Sequence, residues 1–523
     1  MKPALAAAVL GAALLLAGPL AAAELSLAAP LAAGVWPLAG TPALAAARPG
    51  QTLTLALPSG ARTLIVRRVI EHAAGSRSLV LEQPDGEPAG LVTAGPGSAL
   101  TGSLELAGER WWLEQRNGQA RLVDPQRQAL PPPPPQAGDA RRPPAQGPRW
   151  LPGASLARTQ AQPLAASTVV TATVFFYTTP ELRQLYGSAA GVQARLDHLL
   201  TYANEAFARS GVALALRQVG HAEVATSASQ SNVLALDAFT PRLIGAQATG
   251  RDAGERRFRR AADFVALIRP YLPSHDSCGN AWLLTHYARG ERYSAYQVSA
   301  TSDRALEGGG CFDHLFTHEI GHNLGLAHDR AHGGGGVFEH AFGYGIPGRF
   351  GTIMSYLAPV LGRFSNPRQT DCAGGPCGVP AGEPDAADNA GVLQQLRRHY
   401  RDSLPLPPGY EHEQTLYRGL IENPPFDPGP VALAWRLTAE PQGEVTLRLS
   451  VDDPQVSLSR RVLRFTPRNW FRVQSSELSL SDDSLAQGDR LATVRVRYDS
   501  PQDARFARAS ERFPVALYDD ERP

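Results

Sequence analysis

Residues 317–329 read THEIGHNLGLAHD, which gathers His318, Glu319, His322 and His328 in a chain that has 13 histidines among 523 residues. On a helix, residues four apart project from one face, so His318 and His322 present two imidazoles to a single ion. Glu319 lies one step round that helix, beside the ion's open position, where a carboxylate can take a proton from the attacking water. A catalytic zinc ion usually has three protein ligands plus water, and His328 is the third candidate. A straight helix would carry residue 328 past the ion. Gly325 resolves this, because glycine ends a helix through a left-handed turn at little cost and brings the chain back. The chemistry is metal-assisted hydrolysis. A purely structural zinc would close its fourth position with another ligand and would have no use for Glu319. His314, His332 and His340 fall outside the ligand spacing and are expected in surface or core roles. His314 would share the face of His318 only if the helix began that early.

The elements that must hold this motif are legible in outline. TVVTATVFFYTT (168–179) reads as a strand, GVQARLDHLLTYANEAFARSGV (191–212) as a helix, and ALALRQVGHAEV (213–224) as a second strand, giving a β-α-β opening. A further helix is expected over 259–272, with strands at NAWLLTHY and SAYQVSA, so the domain is α/β. Residues 24 to about 128 alternate in the manner of an antiparallel sheet, and LPPPPPQAGDARRPPAQGP reads as an extended, cleavable linker. Beyond about residue 403, short runs such as VALAWRLTA and LATVRVRYD, broken by turn residues, predict an all-β sandwich.

The first 23 residues combine Lys2, an apolar run and a small-residue end at Ala21–Ala23, as expected of a signal peptide; the mature protein is expected to be secreted or periplasmic. No other stretch is long and apolar enough to span a membrane. The net charge of +1 gives no field for nucleic acid, and the basic residues are almost all arginine. Cys278, Cys311, Cys372 and Cys377 sit in one region; in an exported protein they read as two disulfides. Cys278–Cys311 and Cys372–Cys377 stand first among three pairings, with a thiolate zinc site as the alternative.

HEIGHNLGLAHD followed by GTIMSY resembles the metzincin clan of zinc endopeptidases. The resemblance implies zinc held by His318, His322 and His328, Glu319 as general base, and Met354 as the apolar methionine of the turn beneath the ligands. Asp329 after the third histidine, together with CGNAWLL and RFSNP, resembles the reprolysin-like members and, among them, secreted bacterial peptidyl-Asp metallopeptidases. Tyr356 stands where some members of the clan have a tyrosine that contacts zinc and then stabilises the oxyanion; packing in the turn is the alternative. The resemblance also implies an extended substrate along a strand near Ala281–Leu284, and an acidic side chain received by Arg363 or Arg368. No cysteine precedes Cys278, which leaves latency to a carboxylate such as Asp139 or to plain occlusion of the cleft.

The tail, with LRFTPRNW, SDDSLAQGDR and ALYDD, resembles Calx-β-type sandwich domains, which makes Asp482, Asp483, Asp489, Asp519 and Asp520 candidate calcium ligands. The expected organisation is therefore a signal peptide (1–23), a β-rich propeptide (24–130), a Pro-rich linker (131–166), an α/β (α+β) metzincin-type peptidase domain (167–402) and an all-β sandwich (403–523). The expected protein is a monomeric endopeptidase acting on proteins or peptides, with one catalytic zinc; calcium is the candidate second cofactor in the tail, and solvated turn aspartates are the alternative there. The rival is an extracellular binding protein that uses the domain as a scaffold, and the intact Glu319 argues against it.

Overall fold

The structure is a computed structural model. It describes residues 22–106, 108–129, 138–143, 151–152, 167–240, 262–284, 296–397, 410–414, 420–422, 431–506 and 510–519, together with residues 165, 253, 256, 257, 260 and 400. Most of the expected signal peptide, most of the Pro-rich linker, and Asp520 lie outside the described residues. The described residues divide into two compact units: one up to Gln128 with Tyr186–His198, the other within Ala129–Leu185 and Leu199–Pro523.

In the first unit nine strands between Ala23 and Val123 close into a barrel. Eight of its neighbour pairs are antiparallel, and the ring is shut by Ala23–Leu25 running parallel to Leu53–Leu55. Leu25, Leu53, Leu79, Leu81, Leu104, Leu113 and Leu122 fill the interior, so the barrel is a packed core. The sequence reading found the strands here; closure is an additional finding.

The second unit is built on a six-stranded sheet in the order Ala140–Arg141, Gly279–Trp282, Val298–Ser302, Phe264–Arg269, Val170–Thr178, Leu214–Glu223. Its last four strands are parallel, while Gly279–Trp282 runs antiparallel to Val298–Ser302. One expectation fails: the helix expected over 259–272 is the strand Phe264–Arg269, with all six residues buried. A continuous apolar run suits a central parallel strand covered on both faces, and periodicity alone cannot tell it from a buried helix.

Cys278 pairs with Cys311 and Cys372 with Cys377, which removes the thiolate alternative. The first bond ties the start of the strand Gly279–Trp282, which only the two-residue strand Ala140–Arg141 separates from the sheet edge, to the segment that leads into the histidine helix. Further along the chain, two five-stranded sheets share one core that includes Leu433, Trp435, Leu447, Val494 and Val515. Within it Trp435 Nε1 donates to Tyr498 Oη at 3.1 Å, and Tyr498 Oη donates to Glu511 at 2.8 Å, so the polar tips are satisfied.

A buried polar group next to the strand Gly279–Trp282 gives a pH prediction. His275 contacts Ser302 Oγ through Nδ1 at 2.7 Å and the Ala228 carbonyl through Nε2 at 2.7 Å. Burial, and then the nearby Arg269 charge, hold its imidazole down at about 4. Between that value and the ordinary value near 6.5, the unfolded chain binds a proton that the native state refuses. Stability from His275 is therefore present above about pH 6.5 and is lost as pH falls toward 4, by up to about 3 kcal/mol. Urea unfolding at several pH values should show a shallower acid slope for His275→Gln than for wild type, and equal slopes would refute the assignment.

Candidate metal centre

The helix His314–Asn323 carries the histidines. It does begin at His314, yet that ring stacks on Phe312 at 5.9 Å and takes no part in the metal-competent group. Gly325 adopts φ +86°, and the Leu326 amide donates back to the Gly321 carbonyl at 3.0 Å, closing the helix end. The left-handed residue reverses the chain and brings His328 beside the other two rings. Asn323 Nδ2 bonds the Trp282 and Val298 carbonyls, each at 3.0 Å, and so fastens the helix end to the sheet.

The imidazoles are oriented by their far nitrogens. His318 Nδ1 donates to the Ile353 carbonyl at 2.7 Å, and His322 Nδ1 to the Leu326 carbonyl at 2.8 Å. A carbonyl can only accept, so each Nδ1 holds the proton and each Nε2 presents a bare lone pair. His322 Nε2 lies 3.1 Å from His318 Nε2 and 3.0 Å from His328 Nε2. Bare lone pairs that converge this closely repel unless a cation lies between them. Tetrahedral ligands about 2.0–2.1 Å from zinc stand roughly 3.3 Å apart, close to this spacing. The donor set fits such an ion. Burial, against the pull of Asp139, brings the His322 imidazole down to about 4, so it stays neutral and ready to ligate.

Asp139 joins the three rings. Its Oδ1 lies 2.7 Å from His328 Nε2 and 3.5 Å from His322 Nε2, and its Oδ2 lies 3.5 Å from His318 Nε2. Burial by itself would raise this carboxyl, but its close contacts with the three imidazoles hold it well below the usual carboxylate range.

Glu319 is buried, and its Oε2 has no hydrogen-bond partner among the described residues. Burial first, and the Asp139 charge second, push its carboxyl well above the usual range. Gly279 makes room for it, since a Cβ there would stand 2.0 Å from Glu319 Oε1. Met354 is fully buried under the helix, so close that a Cβ on Gly321 would meet its Sδ at 2.4 Å.

Tyr356 lies over the site, its ring centroid 4.2 Å from that of His328. Burial, then the charge of Asp139 and a hydrogen bond to it, raise its hydroxyl above the ordinary phenol range. Asp329 ties the methionine turn to the ligand loop: its Oδ2 accepts from the Tyr356 amide at 2.9 Å and from Ser355 Oγ at 3.2 Å. Its Oδ1 meets His332 Nδ1 at 2.7 Å, which gives His332 a supporting role. Sequence reasoning used Asp329 only as a mark of subfamily and missed Asn323, Gly279 and Gly321. Gly321, inside HEIGH, was the one local signal that could have been followed.

Two further expectations change. Arg363 pairs with Asp371 at 2.6 Å, and Arg368 holds Asp388 at 2.7 and 3.0 Å, so both guanidinium groups already have carboxylate partners within the fold. Asp388 in turn caps the helix Asn389–Leu396. The C-terminal aspartates serve turns: Asp483 accepts from Gln455 and Gln487, Asp519 accepts from the amides of Gln487 and Gly488, and Asp489 accepts from the Asp519 amide. Asp482, Asp483, Asp489 and Asp519 are absent from the metal-competent groups found among the described residues. Carboxylates spent on backbone amides and side-chain amides do not converge on one cation, and calcium has no support here.

Residues 168–381 match the metallo-peptidase family M12B, reprolysin-like. The peptidyl-Asp metalloendopeptidase of Pseudomonas aeruginosa is 29% identical over 244 residues, which is 41% of this chain and 37% of that relative. The chain thus spans little more than a third of the relative's length. Among solved structures, a chain from "Structure of a chaperone-substrate complex" is 21% identical with a TM-score of 0.34, covering 45% of this chain and 35% of its own. That likeness is too slight to bear on the fold.

Proposed function

The chain carries a reprolysin-like metallopeptidase domain over residues 168–381, and from that premise we propose that it is a secreted, zinc-dependent endopeptidase. The observation that carries the reading is the convergence of three Nε2 atoms, 3.0 and 3.1 Å apart in successive pairs and with bare lone pairs on His318 and His322, beside the buried carboxylate of Glu319.

His318, His322 and His328 would hold the zinc, with Met354 packed beneath them. Zinc in this place supplies a Lewis acid that polarises the scissile carbonyl and acidifies the attacking water. Glu319, held in an apolar setting that raises its proton affinity, takes the proton of that water and delivers it to the leaving amine. No nucleophilic side chain is needed, so hydrolysis proceeds without an acyl-enzyme. The Tyr356 hydroxyl, adjacent to the ligands and kept protonated, donates to the developing oxyanion. A substrate strand would add to Gly279–Trp282 on the side that Ala140–Arg141 now covers, where backbone groups bind without regard to side chains.

The surrounding regions are assigned as a signal peptide (1–23), a propeptide formed by the barrel region (24–130), a linker (131–166), the catalytic domain (167–402) and a C-terminal sandwich of Calx-β type (403–523). The name of the Pseudomonas relative supports a preference for Asp. Because Arg363 and Arg368 are already paired, that preference would draw on other groups, and a peptide library with no acidic bias would remove it.

The experiment that tests the activity is metal removal. The processed protein should hydrolyse a protein substrate, lose that activity in a zinc chelator, and regain it with one equivalent of zinc per chain. Activity that persists in metal-free protein would refute the reading.

A further inference from the structure

We propose that one outer face of the C-terminal sandwich is a docking surface for an acidic polysaccharide, held by an oblique band of five arginines: Arg464, Arg448, Arg497, Arg495 and Arg512. The inference is independent of the peptidase reading and gives the tail a ligand of its own.

The band follows from strand alternation. Along Val445–Val451, Val462–Phe465, Arg490–Asp499 and Ser510–Tyr518, which lie in one sheet, core-facing residues alternate with outward ones. All five arginines are outward and exposed. The ladder puts Arg448 directly across from Arg497, and Arg495 directly across from Arg512. Arg464, opposite Thr446, continues the line one step further along. With strands roughly 4.8 Å apart and about 6.8 Å between outward residues of one strand, the band is about 20 Å long.

This arrangement does not serve the sheet, since like charges directly opposite one another destabilise it. Asp452 meets Arg495 at 3.5 Å and Glu444 pairs with Arg464. Arg448, Arg497 and Arg512 have no carboxylate partner among the described residues, and the outward carboxylate of these strands, Asp499, lies two residues beyond Arg497. The other sheet of the sandwich has no such bias. The outward positions of Val431–Leu437 and Gln474–Leu480 hold Ala432, Ala434, Arg436, Ser475, Glu477 and Ser479. A general preference for arginine therefore does not explain the band, and in a chain of net charge +1 it is a local concentration.

The class of partner follows from what lies among the arginines. A guanidinium fork binds a carboxylate or sulfate through two parallel hydrogen bonds, and a line of forks on an open face suits an extended chain that repeats an anionic group. Single-stranded nucleic acid would need aromatic rings on which to stack its bases, but the outward neighbours of the arginines are Ser450, Thr493, Pro514 and Ser510. A folded acidic protein would need an apolar anchor at the centre of the contact, and these side chains supply none. An anionic lipid surface would need apolar side chains beside the basic ones. The exposed Leu491 and Tyr518 stand at the other end of the sheet, next to Asp489 and Asp519, whose charges repel anionic headgroups.

The full chain, carrying Glu319→Gln so that it does not cut itself, is titrated with heparin at physiological ionic strength. Arg448→Gln, Arg497→Gln and Arg512→Gln combined should weaken binding by about 10- to 100-fold, as expected for three exposed charge contacts. Arg436→Gln, Arg468→Gln and Arg472→Gln combined remove the same charge outside the band and should leave the affinity unchanged. The band variant should unfold in urea at a midpoint no lower than wild type, because repulsion across the ladder is relieved. A lower midpoint would assign the arginines to the fold and overturn the proposal. Heparin binding that ignores the band variant, or that falls equally in both variants, would overturn it as well. Oligodeoxythymidylate and phosphatidylglycerol vesicles are titrated beside heparin, and tighter binding of either, lost in the band variant, would overturn the polysaccharide assignment. None of these readouts depends on zinc or turnover, so a failure here is distinct from a failure of the peptidase reading.

Discussion

Glu319→Gln in the processed protein is expected to lower kcat/KM by roughly 10²–10⁴-fold, the usual contribution of a positioned general base. The substitution keeps the shape of a side chain so tightly enclosed that Gly279 across from it has no room for a Cβ. It removes only the ability to take a proton. Metal content should stay at wild-type stoichiometry, because Glu319 is outside the group formed by Asp139, His318, His322 and His328. The loss should fall on kcat more than on KM, since the proton moves in the transition state. Stability should hold or rise near neutral pH, as a buried carboxylate without a partner at Oε2 becomes a neutral amide. A variant with near wild-type turnover and full zinc would remove Glu319 from the chemistry and revive the scaffold reading.

The part of the site that was legible in the sequence is the part whose geometry is local. His318 and His322 share a helical face by periodicity, and Gly325 announces the turn that returns His328, so three donors and a base could be placed without tertiary information. The disulfides were legible for a similar reason, because one closes a loop with a separation of only 5 residues, and export favours pairing. What failed was decided by partners far along the chain. The run over Phe264–Arg269 is apolar enough for helix or strand, and only burial between parallel neighbours settles it as strand. Arg363 and Arg368 looked free until Asp371 and Asp388 folded against them. The acidic loops of the tail looked like a cation cage because composition does not reveal which carboxylates are already accepting from backbone amides. Asp139 was one candidate among two forms of latency. Its approach to the histidines depends on a strand pairing with residues about 140 positions away, which no local pattern encodes.

Gly325→Ala should separate the turn from the ligands it serves. At φ +86° an L-residue pays about 1–2 kcal/mol for the left-handed conformation. The added Cβ would also stand 2.7 Å from the Leu284 carbonyl and 2.8 Å from Val337 Cβ, so the helix end must shift away from Leu284 and Val337. His318 lies before the turn and keeps its carbonyl partner at Ile353, whereas Leu326, whose carbonyl orients His322, and His328 lie after it, and His328 would be re-aimed. A displaced His328, with the support of His322 disturbed beside it, should weaken zinc retention by about 10- to 100-fold, the range seen when the support of a ligand is lost. Chelator competition on the folded variant, with His328→Gln beside it, reads the effect directly. Similar losses in the two variants would show that the glycine acts by aiming His328. If Gly325→Ala holds zinc as wild type does while His328→Gln does not, the third ligand is positioned by the Asp329 contacts to Ser355 and Tyr356, and the left-handed turn only ends the helix.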